Sequence, residues 1–527
     1  MIQLVLVAAV LAALLYYFCI KPMNYWRERG VKQNDHPVWL FGENWRTTIR
    51  KESFFELVVR CYNQFQGTRY HGIYQLIQPT LLIKDPELLR KITVKDFDHF
   101  TDHRSFFSEE TDPLWGKNLF TLRGRKWREM RPILSPSFTS SKMRTMFVLI
   151  SKCSKDFVNH FLKKDQDCVE MEMKDTFTRF TNDVIATSAF GVKVDSLEEP
   201  NNEFYSMGKR ATDFSGFAMM LKFIGFFVAP DLLKYLRISF MDSAVNRFFC
   251  DLVDNTIQVR EKNNIIRPDM IHLLMEAKKG VHHKDENSGV DTGFATVEEA
   301  DLGEGHVTEI TNLDITAQAL IFFFAGFDSV SSLMCFMSHE LAVNPNIQTK
   351  LRNEIEETLA GCGGEITYEA LLKMKYMDMV ISESLRKWPS AVATDRVCTK
   401  PYTIEAMNSD EKPLLIEKGT TLMIPIVGIH HDPKYYPDPE RFDPERFSDE
   451  NKGKIDPFTY MPFGLGPRNC IGSRFALLET KLLVFHLLSH FELIPVEKTQ
   501  IPLKLSRKTF NMMAEKGFWL GLKRLKK

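Results

Sequence analysis

Phe463-Gly-Leu-Gly-Pro-Arg-Asn-Cys-Ile-Gly472 sets one cysteine, Cys470, among three glycines, an aromatic ring and a guanidinium within ten residues. A thiolate persists at neutral pH where a metal, a nearby cation or a helix N-terminus favours its charge. This segment offers all three. From Ile471 the chain (Ile-Gly-Ser-Arg-Phe-Ala-Leu-Leu-Glu-Thr-Lys-Leu-Leu) has the periodicity of an amphipathic helix, which puts Cys470 just ahead of its N-terminus, where the dipole favours negative charge. Gly464, Gly466 and Gly472 let backbone pass close to a flat ligand that a Cβ would hold off. Phe463 is placed to cover the sulfur and Arg468 to meet an acidic ligand edge. A lone cysteine would read as a core residue beside a turn. The spacing Phe-x-x-Gly-x-Arg-x-Cys-x-Gly reads instead as a loop that holds iron through one sulfur.

That pattern resembles the ligand loop of the cytochrome P450 superfamily, the haem-thiolate monooxygenases, and matches each of its fixed positions. The resemblance implies a haem b (iron protoporphyrin IX) with Cys470 as axial ligand, whose electron donation favours O–O cleavage. It also implies Arg468 as a propionate partner, with Phe463 and Gly472 beside the macrocycle.

Composition bounds the alternatives. The 527 residues are 44% hydrophobic and 26% charged, which suits a globular protein with a large core. Lysine plus arginine equals aspartate plus glutamate, 68 each, so no global field favours nucleic acid as a partner. The nine cysteines are scattered, odd in number and without a Cys-x-x-Cys pair, against a disulfide framework, a zinc site or an iron–sulfur cluster. Leu4 to Ile20 carries no charge and no helix breaker, and Lys21, Arg27, Arg29 and Lys32 come after it on one side only. A run of about 20 apolar residues crosses a bilayer core, and the basic flank predicts that the rest of the chain is cytosolic. A cleaved signal would need a basic n-region and a small-residue cleavage site, both missing. Residues 1–21 are therefore read as an uncleaved anchor, 22–40 as a linker and 41–527 as one catalytic domain. Microsomal members of the family carry such an anchor in the endoplasmic reticulum membrane.

Short β-rich runs (Tyr74-Gln-Leu-Ile, Leu81-Leu-Ile-Lys) fall within 40–110, most of the chain to about 400 reads as helix, and strands return afterwards. This predicts a mainly α fold with minor β, an α+β single core rather than a βαβ alternation. The polar, glycine-containing stretch at about 279–310 reads as a flexible connector. From about Thr311 to Val343 runs a long apolar helix, a buried strut rather than a membrane span because Asp314, Gln318 and Asp328 lie inside it. Within it, Ala325-Gly326-Phe327-Asp328-Ser329 combines small residues with an acid and a hydroxyl. This is similar to the family's oxygen-activation motif, where the acid–alcohol pair, here Asp328 and Ser329, helps deliver protons. The family's usual alcohol is threonine.

Glu383-Ser-Leu-Arg386 lies in a helical run where residues three apart share a face. Arg446, in Phe442-Asp-Pro-Glu-Arg-Phe447, is the third charge by resemblance to the family's tandem pattern, in preference to Arg441. Trp127, Arg131 and Arg396 resemble further propionate-binding positions, and Trp127 and Arg131 share a helix face at i, i+4. The basic run Arg123 to Arg131 would steer an acidic electron donor, with Lys126 and Arg128 as contacts. By order along the chain, family substrate regions supply Phe106, Phe107, Phe214, Phe323, Phe324, Ala325, Ala391, Val392 and Phe510. The apolar stretch Phe214 to Leu233 either dips into a bilayer or lies buried under a loop.

Asp183-Val-Ile-Ala-Thr-Ser-Ala-Phe-Gly191, Lys193-Val-Asp-Ser196 and Leu341-Ala-Val-Asn-Pro345 look most like insect microsomal members of the xenobiotic-metabolising clan, its ninth family. That likeness implies O2-dependent oxidation of lipophilic plant toxins or insecticides, with NADPH-derived electrons from a flavoprotein reductase and cytochrome b5 as a further partner. An endogenous lipid or hormone is the alternative substrate. A reductase-independent haem-thiolate isomerase would usually have lost the acid–alcohol pair, and a haem or hydrophobe carrier would not need it.

Overall fold

Thr311 starts the element around which the rest is arranged. In the computed structural model its side chain accepts from the Asp314 N–H while the Asp314 carboxylate accepts from the Thr311 N–H, a reciprocal cap that opens the helix Asn312–Val343. Pro345 biases the preceding residue away from helix, so the run stops at Asn344. Thirty-two residues at 1.5 Å each reach about 48 Å. Residues 2–105, 107, 109–214, 216–267, 269–280, 293–297, 302, 310–407, 411–509 and 511–526 are described. Phe106, Phe510 and most of the 279–310 connector therefore lie outside the described residues.

The central helix is buried on most sides, which settles its apolar character as core: Ile315, Ala317, Ala319, Phe323, Met334, Cys335 and Leu341 are all inaccessible. Its principal neighbours are the helices Met173–Ile185, Pro113–Gly116 and Ser243–Asn263, followed by Lys375–Lys387 and Ser473–Leu488. Gln318, fully buried inside it, accepts from the Leu119 N–H at 2.8 Å and donates to the Lys117 carbonyl at 2.8 Å, so its amide is satisfied without solvent.

Among the described residues, nine short strands make three small sheets. β1 (Tyr70–Gln75), β2 (Gln78–Ile83), β7 (Thr421–Ile424) and β4 (Thr394–Val397) form the first in the order β1-β2-β7-β4, with β2 and β7 parallel and the other pairs antiparallel. β3 (Cys168–Glu172), β9 (Trp519–Arg524) and β8 (Phe491–Ile494) form the second, and β5 (Tyr402–Ile404) with β6 (Leu414–Ile416) the third. The first sheet matters for function because β4 carries Arg396.

Three sequence expectations are revised here. The apolar run Tyr74 to Ile77 is not one strand but the end of β1 and its hairpin turn, with Leu76 in the left-handed region at φ 55°. The 22–40 stretch is not a free linker. Met23, Trp26 and Val31 are buried in the core, and the Trp26 indole donates to the Ile73 carbonyl at 3.3 Å, because apolar side chains in a linker find the nearest sheet face. Part of the connector is pinned: Phe294 packs on Phe447 and Tyr460, and its N–H donates to Asp378 at 2.9 Å.

Candidate active site

The loop ahead of the Ser473–Leu488 helix is closed by its own backbone. The Gly464 N–H donates to Met461 at 3.0 Å, the Asn469 N–H to Gly466 at 2.9 Å and the Cys470 N–H to Phe463 at 2.8 Å. Gly464 (φ 79°) and Gly466 (φ 67°) make the reversals. Gly466 is required for a reason other than ligand approach, since a Cβ there would sit 1.8 Å from the Thr93 carbonyl oxygen. Gly464 and Gly472 do line the site. The helix itself begins at Ser473, with Gly472 at its N-cap.

This loop forms one wall of a cavity of about 470 Å³. Phe463, Arg468, Cys470 and Gly472 lie in that wall, Ala325, Gly326 and Ser329 of the central helix in another, and Trp127, Arg131 and Ala391 complete the lining. Cys470 is exposed rather than buried, because it faces this space.

One end of the cavity is strongly cationic. Arg131, from the helix Gly124–Leu134, donates to the Asn469 carbonyl at 2.9 Å and to its side-chain oxygen at 2.8 Å. Arg468 donates to Thr101 and Leu122 carbonyls, both at 2.7 Å, and its guanidinium lies 4.1 Å over the Trp127 ring. Burial, with Arg396 and Arg131 nearby and only Asp102 and Asp395 opposing, pushes the Arg468 pKa down to about 9. Arg396 lies behind the lining rather than in it: it is 1% exposed, burial pushes its pKa down to about 10, it donates to the Asp395 and Leu465 carbonyls, and its Nε has no hydrogen-bond partner among the described residues. An orphaned buried guanidinium N–H beside two further arginines is what a ligand with two carboxylates would satisfy. With a thiol facing the same space and small residues on the central helix, the residues present fit a haem. Cys470 would hold its iron, and Trp127, Arg131, Arg396 and Arg468 its propionates. When bound, that group supplies oxygen activation.

Asp328 and Ser329 are adjacent but face different partners. The Ser329 hydroxyl donates back to the Ala325 carbonyl at 2.5 Å, the usual i−4 bond of a helical serine. Asp328 is held by Lys174 Nζ at 2.8 Å and by the Asn511 amide at 2.7 Å. Lys174 also donates to Ser331 and Ser332, each at 2.8 Å. Both members of the acid–alcohol pair line a second, smaller cavity of about 170 Å³, together with Phe214, Phe324, Ala325, Phe336, Trp388 and Asn511. Ala325, Ser329, Leu333 and Ser390 belong to both spaces, so the two adjoin.

Of the aromatic and apolar residues expected at the substrate, Phe214, Phe324, Ala325 and Ala391 line these cavities. Phe323 does not: it is fully buried on the far side of the central helix, among Phe190, Phe204 and Phe249. Phe107 packs into a cluster with Trp115, Phe226 and Phe240, and Val392 is buried with its carbonyl accepting from Val427.

Glu383 receives Arg386 through two bonds of 2.7 and 2.8 Å and faces Arg446 at 3.5 Å, and none of the three lines either cavity. The Arg441 side chain is exposed and pairs with Asp443 at 3.9 Å. On the basic face, Lys126 is paired with Glu109 at 2.7 Å and Arg128 with Asp98, which offsets much of its field. Lys174, Asn469 and Asn511 escape sequence reasoning, because each acquires its partner across more than 150 positions of chain.

Comparisons with known proteins agree with this geometry. The profile of the family described as Cytochrome P450 matches residues 33–520. The chain is 50% identical to "Cytochrome P450 9e2" of Blattella germanica over 489 residues, 90% of this chain and 89% of that one. It is 42% identical to "Probable cytochrome P450 9f2" of Drosophila melanogaster, covering 98% of both chains, and 35% identical to "Cytochrome P450 6k1" of Blattella germanica, covering 98% of this chain and 95% of that one.

Proposed function

The chain belongs to the cytochrome P450 family, as a haem-dependent monooxygenase of the insect ninth-family type, and from that premise we propose that it oxidises lipophilic xenobiotics such as plant toxins or insecticides. Family members draw electrons from NADPH through a reductase, and a membrane-bound flavoprotein reductase is the donor proposed here. The observation that carries the reading is the pair of adjoining cavities, one facing Cys470 and the other lined by Phe214, Phe324, Phe336 and Trp388 around Asp328 and Ser329. An aromatic space with a hydroxyl at its junction suits apolar substrates held beside a proton source. A carbon-monoxide difference spectrum of the reduced protein, then NADPH-dependent turnover of a lipophilic panel with added reductase, tests it. Absence of any reductase-dependent product would overturn it.

Membrane placement is part of the same proposal. The helix Ile2–Leu15 runs on into a wider turn, Tyr16–Ile20, and leaves Ile2, Val5, Leu6, Val7, Val10, Tyr16 and Tyr17 exposed. Nineteen residues reach about 28 Å, close to a hydrocarbon core, with Lys21 at the boundary. Among the described residues, the helix long and apolar enough to cross a membrane is the central one, which is mostly buried and so a core helix. The helix Phe217–Val228 has Phe226 in the core while Leu221 and Val228 are exposed, so it is half-buried rather than covered. Exposed Leu232, Tyr235 and Leu236 come next in the chain, and this face is proposed to rest on the bilayer.

Proton delivery is assigned to Asp328 and Ser329. Ser329→Thr adds a methyl that restricts χ1 while keeping the hydroxyl, so the ratio of product formed to NADPH consumed is expected to rise. An unchanged ratio would remove the rotamer argument. Lys174→Met takes away the cation that holds Asp328 in place, and coupling is expected to fall several-fold at unchanged haem content, with Lys174→Arg retaining most of it. Equal coupling in the Met variant would show that Asp328 needs no such anchor.

A further inference from the structure

The smaller cavity has a polar edge whose chemistry the oxidation of lipophiles does not by itself explain. Asn511 lines it and reaches one oxygen of Asp328 at 2.7 Å. An ionised carboxylate only accepts, so the Asn511 nitrogen is the atom that faces it, and this fixes which way the amide points. The Asn511 Oδ1 has no hydrogen-bond partner among the described residues, and the amide keeps a second N–H. Four further side chains on the same wall commit their donors to the protein. Thr212 donates back to the Gly208 carbonyl at 3.1 Å, Ser329 to Ala325 at 2.5 Å and Ser390 to the Ser329 carbonyl at 3.2 Å, while the Trp388 indole donates to Glu340 at 2.8 Å. The hydroxyl oxygens keep lone pairs, so this edge accepts more readily than it donates. Asp328 adds little net charge, because Lys174 Nζ sits 2.8 Å from its other oxygen.

We infer that the smaller cavity selects lipophilic molecules that carry a neutral hydroxyl, phenols above all, and that Asn511 is the residue that reads it. The inference rests on the oxidation of lipophiles proposed above and names the substrate class. A hydroxyl both donates and accepts, so it can answer the Asn511 Oδ1 and the remaining amide N–H together. An ether only accepts. It leaves Oδ1 without the bond that water gave it, and an unmade bond costs more than a made one gains. A protonated amine is disfavoured for a different reason: the carboxylate on this wall is already paired with Lys174, so the cation would leave water for no free anion. Phe214, Phe324 and Phe336 supply faces and edges for a flat carbon skeleton, which is why a phenol suits the space better than an aliphatic alcohol.

The test is a binding measurement on the full-length haem-loaded protein without reductase, so that proton delivery through Asp328 does not enter. A naphthol and its methyl ether are titrated separately and the Soret shift gives each Kd. Lipophilicity alone favours the ether, by about fourfold for the added methyl. With Asn511 reading the hydroxyl, the naphthol should instead bind about three- to tenfold more tightly. Asn511→Leu removes both halves of the amide and should restore the order set by lipophilicity, with the ether ahead. An ether that binds the parent protein as tightly as the naphthol overturns the inference. So does an unchanged order of affinity in Asn511→Leu, or in Asn511→Ala should the Leu variant not load haem. Either result leaves the monooxygenase reading standing, since that reading falls only to the absence of reductase-dependent product from the lipophilic panel.

Discussion

Cys470→Ser is expected to abolish both the thiolate signature of the reduced, carbon-monoxide-bound protein and all reductase-dependent oxygenation. A serine hydroxyl does not ionise near neutral pH and cannot donate electrons as a thiolate does. Among the described residues, no other cysteine can stand in. Cys470 is the cysteine that lines the cavity among the described residues. Cys335, on the neighbouring central helix, is fully buried, and burial pushes its thiol well above the ordinary range. The substitution should leave the fold intact, because the loop is closed by backbone bonds such as Cys470 N–H to Phe463 rather than by the sulfur. Circular dichroism and melting temperature close to the parent's, with haem content reduced or its spectrum altered, are the expected companions. A variant that kept the thiolate spectrum and its turnover would sink the assignment of the iron ligand.

How much of the site is legible in the chain depends on how local each signal is. The ligand loop is ten consecutive residues, so its glycine turns, its cation and its thiol can be read directly, and the central helix announces itself through a long apolar run bounded by Thr311 and Pro345. The Glu383–Arg386 pair is also local, at i, i+3. Arg446 is placed by resemblance, since nothing in spacing distinguishes it from Arg441. Burial of one guanidinium and exposure of the other is a tertiary fact. The substrate phenylalanines show the limit most clearly. Phe323 and Phe324 are adjacent on one helix, 100° apart around its axis, and only the second reaches a cavity. Composition gives both the same weight. The linker reading fails for a related reason: Trp26 and Met23 are anonymous apolar residues until β1 offers them a surface. Lys174 and Asn511 carry no motif, and their partners arrive from distant segments.

Arg386→Ala is expected to cost about 3–5 kcal/mol, the usual penalty for leaving one member of a buried ion cluster uncompensated. Glu383 and Arg386 are both 0% exposed, and the guanidinium also donates to the His430 carbonyl at 3.0 Å and the Pro439 carbonyl at 2.8 Å. Removing it leaves Glu383 to Arg446 at 3.5 Å and to the Asp443 N–H at 2.9 Å, and strands two carbonyls. Set against a typical domain stability of about 5–15 kcal/mol, that loss is a large share. Its effect should not be confined to stability. The His430 imidazole, kept neutral because burial pulls its pKa down to about 3, donates from Nδ1 to the Arg386 carbonyl and accepts the Met461 N–H at Nε2, 3.1 and 3.0 Å. Met461 in turn accepts the Gly464 N–H that begins the ligand loop. The cluster therefore sits three hydrogen bonds from Gly464 and the loop that presents Cys470, and disturbing it should loosen the loop before the molecule unfolds. Thermal melts and haem-to-protein ratios measure the two consequences separately: Arg386→Ala should lower both, while Arg441→Ala, with its exposed side chain, should leave both near the parent's. A melting temperature and haem ratio in Arg386→Ala equal to those of Arg441→Ala would show that the buried cluster supports neither the fold nor the loop.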